Sequence, residues 1–76
     1  MSNLTLSDLY KIEDAKEQFK YIVGEKFYSI TYGATVRVTD DERLVNDRTN
    51  ETIKNKLNDH CINKLYIEWL SYQLTQ

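Results

Sequence analysis

Apolar residues recur at helical spacing along the first third of the chain. Ile12, Ala15, Phe19 and Ile22 follow at 3-4-3 intervals, and Leu9 and Val23 extend the same face. Lys11, Glu13, Asp14, Lys16, Glu17 and Lys20 fall largely on the other side. Thr5-Leu6-Ser7-Asp8 matches the capping-box pattern, in which the Thr5 hydroxyl takes the Asp8 amide proton and the Asp8 side chain reaches back. Leu4 and Leu9 stand at the two positions of a hydrophobic staple. Gly24 suits the left-handed residue that follows a helix end. Together these predict one helix from Leu6 to Val23.

The period then changes to two. Tyr28, Ile30, Tyr32, Ala34, Val36 and Val38 alternate with Ser29, Thr31, Thr35, Arg37 and Thr39. Such a pattern, rich in β-branched and aromatic residues, predicts strands. Gly33 marks the turn. Directly opposed residues of an antiparallel pair share a face. A three-residue loop over Tyr32-Gly33-Ala34 keeps that parity, opposing Ile30 to Val36 and Tyr28 to Val38. This register sends Tyr28 and Tyr32 inward with the apolar set. One long strand bent at Gly33 has the same parity. Asp40-Asp41-Glu42 reads as a polar turn, and Arg43-Leu44-Val45 as a short third strand.

A long helix is expected from Asn50 or Glu51 to Leu74, capped by Thr49 or Asn50. Ile53, Leu57, Cys61, Leu65 and Trp69 recur every four residues, a stripe that winds slowly around a 3.6-residue helix. Ile62, Tyr66, Leu70 and Leu74 form a second row beside it, widened by Ile67. The order α-β-β-(β)-α implies an α+β fold with a small antiparallel sheet and both helices on one face. A sheet this small does not obviously cover both rows. Ile62, Tyr66, Ile67, Trp69, Leu70 and Leu74 are therefore the expected partner surface, unless the row closes the chain's own core. The acidic turn Asp40, Asp41 and Glu42 is the second expected contact.

Composition narrows the class. Seventy-six residues, 41% hydrophobic and 29% charged, are ordinary globular usage. A chain of this size buries only about 60% of its unfolded surface, so partner binding or oligomerisation is a natural source of added stability. Cys61 is the only cysteine, which excludes an internal disulfide and fits a reducing cytosol. The N-terminus lacks the basic and apolar regions of a secretory signal. No apolar run approaches a membrane span. The sequons at Asn3 and Asn50 are then read as chance. Proline is absent and Asn, Ile, Lys and Tyr are plentiful, as in AT-rich genomes of low-GC bacteria and their phages.

Ten basic and twelve acidic residues leave a net charge of −2. This is too balanced for an ordinary duplex-DNA binder and too balanced for an acidic DNA mimic. His60 and Cys61 are adjacent, but neighbouring helical residues diverge by about 100°. They do not make a nucleophile–base pair. One histidine and one cysteine also fall short of the three or four ligands a zinc site needs. Glu13 and Glu17 read as solvated charges, and neither glycine belongs to a phosphate-binding fingerprint. No cofactor, metal or catalytic role is expected.

Arg37, Arg43 and Arg48 all fall in or just after the sheet, near Tyr28 and Tyr32. That grouping supports a nucleic-acid-binding regulator as the alternative. The inward register of the tyrosines and the acids at 40–42 oppose it. The favoured expectation is a cytoplasmic, non-enzymatic interaction protein. It would be a regulator or inhibitor that occludes a surface of another macromolecule, of a kind phages direct at host machinery. A homodimer through the C-terminal helix is the simplest self-association.

Overall fold

A computed structural model describes residues 5–75 of the chain. The Asn3 sequon and Leu4, half of the expected staple, lie outside the described residues. The elements run α1 (Leu6–Tyr10), α2 (Ala15–Ile22), β1 (Lys26–Ser29), β2 (Ala34–Val38), β3 (Leu44–Asn46), β4 (Thr52–Lys54) and α3 (Asp59–Leu74). The four strands form an antiparallel meander in the order β1-β2-β3-β4. The α+β expectation holds, with the third strand present and a fourth added.

The predicted first helix is two helices. The Thr5–Asp8 capping box forms and starts α1. Asp14 starts α2 by accepting the Glu17 amide at 3.3 Å. Two side chains brace the break between them. The distant Tyr66 hydroxyl donates to Leu9 O, in the last turn of α1, at 2.7 Å, and the nearby Gln18 Nε2 donates to Ile12 O, in the link, at 2.7 Å. Gly24 follows α2 with φ +79°, the left-handed role expected of it.

The hairpin register corrects the parity expected from sequence. Phe27 opposes Val36, Tyr28 opposes Thr35, and Ser29 opposes Ala34. The loop is therefore Ile30-Thr31-Tyr32-Gly33, closed by the Gly33 N–H to Ser29 O at 2.8 Å. A four-residue loop pairs odd positions with even ones. Phe27 and Ser29 turn inward with Val36 and Val38, while Tyr28, Ile30 and Tyr32 face solvent. The β3–β4 loop, residues 47–50, repeats this design: the Asn50 N–H donates to Asn46 O at 2.7 Å. Gly33 (φ +64°) and Asn50 (φ +63°) hold the same left-handed final position.

The long C-terminal helix is also corrected. Residues 50–57 leave the expected helix for the β3–β4 loop, β4 and a turn in which Lys56 takes φ +53°. Asn58 caps α3 by accepting the Cys61 amide at 2.8 Å. Ile53 packs from the sheet edge and Leu57 from the connection, not from a helix.

α3 covers one face of the sheet, and α1 and α2 pack against α3. Ile22, Phe27, Val36, Val38 and Leu44 meet Leu57, Ile62, Leu65, Tyr66, Trp69 and Leu70 in one apolar cluster. Each large side chain fully buried there contributes about 1.5–3 kcal/mol. Tyr21, Tyr66 and Trp69 clasp α2 to α3, with ring centroids 5.8–6.4 Å apart. Val45 is buried on the other face, opposite Arg37 and Thr52.

Candidate functional site

The second apolar row of α3 is core from Ile62 to Leu70. Tyr66 and Leu70 have no exposed surface, and Ile62 and Trp69 are buried with them. Burial pushes the Tyr66 phenol up from its ordinary pKa, with a smaller contribution from the neighbouring Tyr21. Of the expected partner surface on α3, only Ile67 (39% exposed) and Leu74 (59% exposed) face outward.

The β1–β2 hairpin supplies the rest of an apolar surface. Ile30 is 80% exposed at the loop and Tyr28 is 50% exposed on the edge strand β1. Together with Ile67, Ser71, Tyr72 and Thr75 they line a groove of about 320 Å³ between the hairpin and the last two turns of α3. Large apolar side chains left in solvent on the rim of one groove are the usual mark of a contact surface.

Glu68 fixes the groove's shape. Its half-buried carboxylate accepts from the buried Ser29 hydroxyl, from the Thr31 hydroxyl, and from the Thr31 amide at 3.2 Å. The Ser29 oxygen in turn accepts the Tyr32 amide at 3.3 Å. One carboxylate thus pins the hairpin loop to the helix, with charge-assisted bonds stronger than neutral ones. Sequence parity missed this arrangement because an inward Ser29 reads as a polar mismatch until its partner, thirty-nine residues away, is known. Phe27 was the available signal: it has no polar group to keep wet, whereas Tyr28 has.

On the other side of Glu68 a smaller hollow of about 200 Å³ is lined by Thr31, Tyr32, His60, Cys61, Lys64 and Leu65. His60 is exposed and Cys61 half-buried against the core, as their divergent positions on a helix require. Among the described residues no three His, Cys, Asp or Glu side chains are grouped to hold a metal ion. No helix among them is long and apolar enough to cross a membrane.

The acidic turn and the arginines are largely self-engaged. Asp41 bonds the Thr39 hydroxyl and pairs with Arg43 at 2.9 Å, and these contacts hold its carboxyl below the usual range, the Thr39 bond first. Glu42 takes φ +63° to close the turn. Asp40 stays exposed beside them. Arg37 pairs with Asp47 at 3.4 Å and donates to Asn50 Oδ1 at 2.6 Å, while Arg43 also donates to Thr52. Arg48 is exposed. Neither group is brought to the groove by any contact seen among the described residues.

The chain matches no family model, no curated protein and no solved structure.

Proposed function

We propose that the protein is a small, non-enzymatic interaction module that docks on another protein through the groove between the 30–33 loop and α3. One observation carries this: Tyr28, Ile30 and Ile67, three large apolar side chains in solvent, converge on one groove. Binding there would occlude the partner's own surface, which is the action of a regulator or inhibitor, and it requires no chemistry. A cytoplasmic setting fits the free thiol of Cys61.

The test is retention of protein partners on immobilised wild type against an Ile30→Asp, Ile67→Glu double variant. The substitutions lie in solvent and leave the core intact. Partners held by wild type and lost by the variant, at unchanged melting temperature, support the reading. Equal retention by both contradicts it.

The outward Tyr28 favours a second reading as a single-strand nucleic-acid platform. It shares the open sheet face with Lys26 and Arg37. Weighing against this, Arg37 is tied to Asp47 and the chain is net acidic. Oligonucleotide binding that falls steeply with salt, and is lost in Tyr28→Ala and Lys26→Glu, would establish it.

A further inference from the structure

Both hollows open onto a single stripe of α3. His60, Lys64, Ile67, Ser71 and Leu74 follow at 4-3-4-3 spacing, so they lie on one helix face. All five are exposed. The hairpin loop, pinned to Glu68, borders this stripe without crossing it. The stripe is apolar at its C-terminal end, where Ile67 and Ser71 enter the groove. It carries a cation at the other, where Lys64 lines the smaller hollow beside His60. Among the described residues Lys64 has no ion-pair partner. Glu68, one turn on and its natural partner, is occupied by Ser29 and Thr31. Asp59 stands on another side of the helix, five residues and about 140° from Lys64.

Resting on the docking reading above, we propose that the partner element is an amphipathic helix carrying both apolar anchors and an acidic group. Its anchors enter the groove between Ile30, Ile67 and Tyr72, and its carboxylate meets Lys64, with the His60 imidazole beside it. Lys64 and Ser71 are about 10 Å apart along the axis at 1.5 Å per residue. The acidic group on the partner therefore lies about two turns from its anchors. A stripe with a regular 4-3 repeat suits an aligned helix better than an extended strand.

The experiment titrates the isotope-labelled full chain with two synthetic helical peptides in an Ala/Gln background. Both carry a pair of leucines one turn apart. One carries two glutamates two turns away and the other two lysines. The acidic peptide should shift the amides of Lys64, Ile67, Ser71 and Tyr72 and bind about fivefold tighter, an advantage that shrinks in high salt. Lys64→Glu, a surface change that keeps the fold, should reverse the order. Equal binding of both peptides in the groove overturns the acidic partner and leaves the docking site standing. No shift from either overturns both. Shifts of these same amides on concentrating the protein alone would place a second copy on the stripe, and that also overturns the proposal.

Discussion

Phe27 and Tyr28 are neighbours that face opposite ways, and the make-up of the exposed surface follows from which of them turns in. Phe27 fills the core because it has nothing to hydrogen-bond. Its turn inward forces Ser29 inward too, and a buried hydroxyl needs a partner. Glu68 supplies it. Glu68→Gln leaves one acceptor oxygen where two now serve three donors, so it should cost about 1–3 kcal/mol. Urea denaturation would read the loss, and faster amide exchange at Thr31 would localise it. Unchanged stability and exchange would show that the carboxylate does not hold the loop. Tyr66→Phe removes the bond to Leu9 O and should cost about 1 kcal/mol. The Tyr66 phenol is raised above its ordinary pKa by burial, so folding favours its protonated form. That contribution is present below about pH 10 and is lost as pH rises through the raised value. The wild type should therefore weaken at alkaline pH more than Tyr66→Phe, as measured by thermal melts from pH 8 to 11.

Local signals place the elements, and long-range bonds decide their ends. The Thr5 box, the Gly24 terminus and the β-branched run through Val36 and Val38 are legible without a structure because each depends only on neighbours in sequence. The break between α1 and α2 is not, because its carbonyls are satisfied by Gln18 and by Tyr66, fifty-seven residues from Leu9. The start of α3 is obscured in the sequence for a different reason. A four-residue apolar recurrence through Ile53 and Leu57 imitates a helix, while Asn50, Lys56 and Asn58 adopt turn and cap conformations that a periodicity count ignores. Asn58→Ala tests the observed start. Loss of that cap should lower stability by about 1 kcal/mol, whereas a helix beginning near Asn50 would leave the change close to neutral. Equilibrium unfolding followed by Trp69 fluorescence measures it, since Trp69 packs against both Tyr21 and Tyr66.

The molecule as a whole separates an inner row from an outer stripe on one helix. Leu70 belongs to the first and Ile67 to the second, though three residues separate them. Leu70→Glu buries a charge and should unfold the protein or lower its melting temperature by tens of degrees. Ile67→Glu should change it by only a few degrees. Similar losses from both would merge the stripe into the core. The sequence located the apolar surplus in α3 but assigned too much of it to a partner. It hid the contribution of Tyr28 and Ile30, because a single-residue change in loop length reverses the face of a strand. On the proposed reading the outer stripe, the hairpin loop and Tyr28 beside them meet a protein partner, and the open sheet face toward β4 does not. Photocrosslinking in the organism that encodes the chain tests this most directly, with p-benzoylphenylalanine placed at position 67 or, on the open face of the far edge strand β4, at position 52. A protein adduct is expected from position 67 and none from position 52. An adduct from position 52 alone, or from neither, would contradict the reading.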